Sequence, residues 1–307
     1  TLATTLQAQI SVKPPDAIVP VVGSTRGQSN ANFKTELQLA NGTENPMSGW
    51  LVLRPQVLSR RYQLAPHTTL SFADVVRTTI ATSGPTALTL QGADRDIAIT
   101  PDGSRIVYRG TNQLLVRALN QLEPDVLSGL GAPHGVFTSP DGQWIGFFDG
   151  VRLLKKVAIT GGPPVTVSAV QGVPRGATWS ADGTIIFATN APATGLQRVS
   201  PAGGEPTVLT QPDRERGEGD HLWPEFLPRG EAVLFTITAP TNVIDNAQIA
   251  VLDLETGAYK VLVRGGSHAH YVPTGHLVYG AAGTLRAVAF DLGRLEVVGT
   301  PAPVLEG

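Results

Sequence analysis

The sequence predicts an all-β protein: a β-propeller of five recognisable four-stranded repeats, making five or six blades, preceded by a small β-sandwich. Three observations carry this. A turn closed by glycine recurs at Pro101-Asp102-Gly103, Pro140-Asp141-Gly142, Ala181-Asp182-Gly183, Pro228-Arg229-Gly230 and Pro273-Thr274-Gly275. The closing glycines stand 39, 41, 47 and 45 residues apart, the period of a propeller blade. The third observation is composition: 34 Gly and 24 Pro in 307 residues supply many tight turns between short strands, punctuation that a helical bundle would not tolerate.

Residues 1–76 fall outside the repeat. The opening "TLATTLQAQISVKPPDAIVPVVG" starts like a strand and passes into Lys13-Pro14-Pro15, a stiff extended connector. "FKTELQLANGTENPMSGWLVLRP" reads as two strands with period-two alternation, Phe33, Leu37 and Leu39, then Trp50, Val52 and Leu53, joined by a polar loop from Asn41 to Ser48. "RRYQLAPHTTLSFADVV" supplies another pair around Ala65-Pro66-His67. This part resembles an immunoglobulin-like accessory domain of bacterial secreted proteins. Its N-terminal strand is an edge strand of its own sandwich or an element added to a neighbouring sheet.

Residues 77–307 form the propeller. Residues 77–92, "RTTIATSGPTALTLQG", supply strands that close the ring or begin a sixth blade. Each turn is followed by a short apolar strand: "RIVYRG", "WIGFFDG", "TIIFATN", "AVLFTIT" or "HLVYGAA". A strand with alternating apolar positions comes next, as in "QLLVRAL" and "QIAVLDL", and then an outer one such as "PPVTVSA" or "YKVLVRG". With the strand before the turn, each unit has four. Within the turn, proline presets the first corner, the aspartate accepts from nearby N–H groups, and glycine takes positive φ. The aspartates therefore read as turn formers rather than as metal ligands or catalysts.

The repeats resemble the TolB-like, WD-type β-propeller repeats found in the C-terminal sensor regions of bacterial membrane-anchored serine/threonine protein kinases. That resemblance covers about residues 77–307. It implies an extracytoplasmic module, periplasmic, surface-borne or secreted, that binds a ligand or protein. No kinase activity is implied, because the Gly-rich phosphate loop, "HRD" and "DFG" are all missing from the sequence.

Aligned on the turns, the residues just before each innermost strand are polar or cationic: Arg95 and Asp96, His134, Arg175, His221, and Ser267 with His268. Innermost strands face the channel, so these side chains form a candidate ring at its mouth for a polar or anionic ligand or a partner's side chain. They also suit hydrogen bonding between blades around a water-filled channel. His268 and His270, alternating on one strand, together with His276, are weak metal candidates. Glu215, Glu218, Asp220 and His221 in "DRERGEGDHLWPEF" suit a calcium site, an acid/base pair or a solvated loop. Trp223 and Phe226 read as blade packing.

A net charge of −2 without a Lys/Arg cluster gives no footprint for nucleic acid. No apolar run is long enough to span a bilayer, and Thr1-Leu2-Ala3 lacks the regions of a signal peptide. Without cysteine there is no disulfide or thiolate chemistry, and without Gly-x-Ser-x-Gly there is no nucleophile elbow. The reading is a non-catalytic recognition module with no cofactor, binding a protein partner or associating with itself. Alternatives are a fibre subunit joined by strand addition and a metal-dependent propeller hydrolase or lactonase.

Overall fold

The computed structural model describes residues 84–90, 95–119, 121, 123–240 and 244–305, and between residues 18 and 79 the backbones of six strands. The chain divides into two compact units, residues 1–88 with 117–125 and residues 89–116 with 126–307. Among the described residues no helix is long and apolar enough to cross a membrane.

The first unit holds β1 (Ile18–Thr25), β2 (Asn32–Ala40), β3 (Met47–Leu53), β4 (Leu58–Leu64), β5 (Thr69–Phe72) and β6 (Arg77–Thr79). β2 pairs antiparallel with β1, β5 and β6, while β3 and β4 form a separate hairpin. The strands flanking Ala65-Pro66-His67 are thus β4 and β5, and each pairs elsewhere. The expected Lys13-Pro14-Pro15 connector lies outside the described residues. Among the described residues of 77–92 no sixth blade is seen: β6 joins the β2 sheet, and residues 84–90 contain no strand.

Five four-stranded antiparallel sheets follow, each made of consecutive strands. Blade 1 contains β7 (Ile97–Ile99), β8 (Arg105–Gly110), β9 (Gln113–Ala118) and β10 (Asp125–Leu127). In blade 2 are β11 (Pro133–Thr138), β12 (Trp144–Asp149), β13 (Leu153–Ala158) and β14 (Val165–Ala169). Blade 3 has β15 (Pro174–Trp179), β16 (Ile185–Thr189), β17 (Leu196–Val199) and β18 (Thr207–Val208). Blade 4 has β19 (His221–Phe226), β20 (Ala232–Ile237), β21 (Gln248–Asp253) and β22 (Tyr259–Arg264). Blade 5 has β23 (Ser267–Val272), β24 (His276–Ala281), β25 (Thr284–Asp291) and β26 (Glu296–Leu305). The first strand of each blade is innermost, and these inner strands contact one another in chain order from β7 to β23.

Burial explains why the middle strands are apolar throughout rather than alternating. β16 and β20 are buried along their whole length, which requires a neighbour on both faces of the sheet. Among the described residues four apolar clusters fill the junctions of blades 1 and 2, 2 and 3, 3 and 4, and 4 and 5. Blade 5 differs. On β24, Leu277 and Tyr279 are buried against blade 4 while His276 and Val278 are half-buried, the alternation of a sheet with one well-covered face.

Candidate binding site on the propeller axis

The inner strands of blades 2 to 5 share one irregularity. Their pairing register breaks between His134 and Phe137, Pro174 and Ala177, Leu222 and Glu225, and Ser267 and His270. Each break contains a residue with positive φ: Gly135 (60°), Gly176 (90°), Trp223 (53°) and His268 (54°). Glycine adopts this conformation freely, whereas an L side chain there costs about 1–2 kcal/mol. Blades 4 and 5 nevertheless use aromatic rings, which stack with centroids 3.6 Å apart and planes 27° apart. Burial of Trp223, together with a hydrogen bond from the His268 N–H to Thr236 Oγ1 at 3.1 Å, offsets that strain.

The bulges of blades 4 and 5 bring Glu225 and His270 together beside Arg95. Glu225 Oε2 lies 3.2 Å from Arg95 Nη1 and 2.5 Å from His270 Nδ1, and Oε1 accepts the Tyr271 N–H at 3.3 Å. Arg95 precedes the inner strand of blade 1, whereas Glu225 and His270 belong to blades 4 and 5, so the cluster ties the first blade to the last two. Burial works to raise the Glu225 carboxyl, but His270 and Arg95 outweigh it and hold the pKa below the usual value. Burial, followed by the Arg95 and His270 charges, pushes His268 down to about 4, leaving it neutral at pH 7. Arg95 also buries Nε and Nη2 without a hydrogen-bond partner among the described residues.

Where the inner strands end, their turns surround a funnel of about 740 Å³ to which all five blades contribute, including Pro101, Pro140, Ser180, Arg229 and Tyr271. Trp179, Phe226 and Tyr271 give it aromatic walls. Three aspartates build the turns as expected. Asp102 accepts from Thr100 Oγ1 at 2.6 Å and the Ser104 N–H at 3.0 Å, and Asp141 from Ser139 Oγ at 2.5 Å and the Gln143 N–H at 3.0 Å. Asp182 accepts likewise from Ser180 Oγ and the Thr184 N–H. Hydrogen bonds from the adjacent hydroxyls lower all three carboxyl pKa values, Asp102 to about 2. Blade 4 keeps the backbone bond that closes the other turns, from the Gly230 N–H to Leu227 O at 3.1 Å, but has no carboxylate there, and Arg229 has φ 81°. Positive φ at the third turn position marks a type II turn, which favours glycine or asparagine. Beside the funnel is a groove of about 430 Å³, lined by Arg229 together with Glu231, Asp253 and Glu255.

The structure brings together some of the candidate ring and disperses the rest. Arg95 and His268 reach the axial cluster. Asp96 is buried, accepting the Gly135 N–H at 3.2 Å with Arg109 Nη1 at 3.6 Å, and so links blade 1 to blade 2. His134 Nε2 lies 2.8 Å from Gly150 O, and Arg175 Nη1 donates to Pro174 O at 2.9 Å. His221 is fully buried between Thr210 Oγ1 at 2.8 Å and Glu218 Oε2 at 3.0 Å. Burial lowers the His221 pKa, while burial and the bond to Glu218 raise Tyr259 to about 12. Arg95, His134, Arg175, Leu222 and Ser267 each stand eight residues before a closing glycine, so His221 precedes that position and His268 follows it. This offset sends one histidine into the core and the other into the bulge.

His268 and His270 do not share an environment, because the register break falls between Ser267 and His270: one ring stacks on Trp223, the other pairs with Glu225. His276 Nδ1 lies 3.0 Å from Thr274 O. In the charged loop, Glu218 serves His221 and Asp220 lies 3.9 Å from Arg214. Among the described residues no three His, Asp or Glu side chains converge as a metal site. Sequence reasoning missed Glu225, Arg229 and the stacking of Trp223 on His268. The available signals were Trp223 and His268 aligned with Gly135 and Gly176, and Arg229 aligned with three aspartates.

No protein-family model matches the chain, and no curated protein matches it. Solved structures do. A putative TolB from Agrobacterium tumefaciens matches with TM-score 0.52 and 17% identity, over 68% of this chain and 79% of that one. An oligogalacturonate lyase in complex with manganese matches with TM-score 0.52 and 14% identity, over 94% of this chain and 85% of that one. A β-propeller domain from Myceliophteria thermophila matches with TM-score 0.51 and 12% identity, over 67% of this chain and 69% of that one. At these identities the likeness establishes the fold: five four-stranded blades arranged as a β-propeller similar to TolB.

Proposed function

We propose that the propeller is a non-catalytic, extracytoplasmic recognition module that binds a segment of a partner protein in the axial funnel, with the first unit an immunoglobulin-like accessory domain. The observation that carries this reading is the funnel itself. All five blades line it, and its aromatic walls are the side chains enriched where proteins meet. Likeness to a putative TolB supports the extracytoplasmic placement.

The test is selection of a random-peptide display library on the wild-type protein and on Ala181→Trp, which fills the funnel from an exposed turn position. Enriched peptides are expected to bind the variant at least about tenfold more weakly, a loss of about 1.4 kcal/mol, with a melting temperature within about 2 °C of wild type. Equal binding to both proteins contradicts the funnel as the site.

A metal-dependent hydrolase is the second reading. It draws on the Glu225–His270 pair and on the fold shared with a manganese-bound lyase. Calorimetric titration with manganese, zinc and calcium tests it; heat of binding lost in Glu225→Gln would favour this reading over the first.

A further inference from the structure

We infer that Arg229 is the specificity-determining residue of the axial funnel, and that the segment bound there presents a carboxylate beside an aromatic or aliphatic side chain. This rests on the recognition reading above. Among the described residues Arg229 is the only charged one that lines the funnel; the others are proline, small or hydroxylated residues, leucine and the three aromatic residues. Arg229 is exposed, and its guanidinium makes no hydrogen bond or ion pair among the described residues, although Glu231, Asp253 and Glu255 line the adjoining groove. A permanent cation at the edge of an apolar, aromatic funnel selects an anionic group carried next to an apolar one, and the guanidinium fork matches a carboxylate.

The backbone supplies an independent reason. The same turn position holds Asp102, Asp141 and Asp182 in the first three blades, where the carboxylate reinforces the turn by accepting the N–H two residues on. Blade 4 gives up those bonds and holds Arg229 at φ 81°, where an L side chain is strained. No side-chain hydrogen bond or ion pair of Arg229 within the described residues compensates. A side chain held at a cost to its own fold, and facing a cavity, is the pattern of a residue kept for binding.

Fluorescence anisotropy with three amidated peptide pools tests the inference; the pools share a central Phe, Leu or Trp and differ in Asp/Glu, Ser/Gln or Lys flanks. A fourth pool, with Ser/Gln flanks and a free C-terminal carboxylate, separates a terminal carboxylate from a side-chain one. Wild type is expected to bind a carboxylate-bearing pool at least about tenfold tighter than the neutral amidated pool. Arg229→Gly should abolish that preference while raising the melting temperature, and Arg229→Asp should turn it toward the Lys pool. Equal binding of acidic and neutral pools by wild type, with both lost in Ala181→Trp, overturns the role of Arg229 and leaves the funnel reading standing. Binding of no pool overturns both. A melting temperature lowered by Arg229→Gly identifies a structural brace and overturns the inference.

Discussion

At the scale of single residues, the axial cluster makes a pH prediction. His268 has a folded pKa of about 4 against an ordinary 6.5, because burial and two neighbouring cations disfavour its charged form. An unfolded chain takes up that proton first, so the stability contributed is present in full above pH 6.5 and is lost as pH falls toward 4. His221, also depressed by burial, acts in the same direction. The contribution of the turn aspartates is lost only below their ordinary value of 3.8. Thermal melts from pH 6.5 to 4.5 should therefore show a decline that His268→Phe, which keeps a ring against Trp223, reduces by about 2 kcal/mol, or about 5 °C. An unchanged slope in that variant contradicts the buried neutral imidazole. How far such residues were legible follows from distance along the chain. Asp102, Asp141 and Asp182 act on groups two residues away, so turn chemistry identifies them. The partner of Glu225 is Arg95, 130 residues distant, and local pattern carries nothing about that meeting.

Individual strands show a second division. Turn glycines and apolar runs locate the blades because each blade is a sequential meander whose pairings are local. Bulges were not legible, since an inserted residue leaves the apolar pattern nearly intact; only Gly135 and Gly176 hint at them. Pairings in the first unit were not legible either. β2 skips over β3 and β4 to pair with β5 and β6, and periodicity gives the face of a strand but not its partner. Burial separates the blades in stability as well. β16 and β20 are enclosed on both faces, whereas β24 alternates. Native-state hydrogen exchange should protect the amides of β24 and β25 about tenfold or more less than those of β16 and β20, a difference of at least about 1.4 kcal/mol in opening free energy. Uniform protection across the five blades would contradict this gradient.

For the whole molecule, the repeat period fixes the fold class, and the shared funnel is a consequence of five equivalent turns meeting on one axis. The walls of that funnel depend on which residue each blade places at the same turn. Three blades keep the turn-forming aspartate, and the fourth exchanges it for Arg229. The proposed binding chemistry thus rests on departures from the repeat, at Trp223, Arg229 and His268, rather than on a motif. The central claim is that ligand recognition occurs on the axis where all five blades converge. Hydrogen-exchange footprinting with a peptide selected on the wild-type protein tests it most directly. Slowed exchange is predicted at the turns around Gly103, Gly142, Gly183, Gly230 and Gly275 together, in residues separated by most of the propeller's length. Protection confined to the outer strand of one blade, or to residues before Leu88, would contradict it.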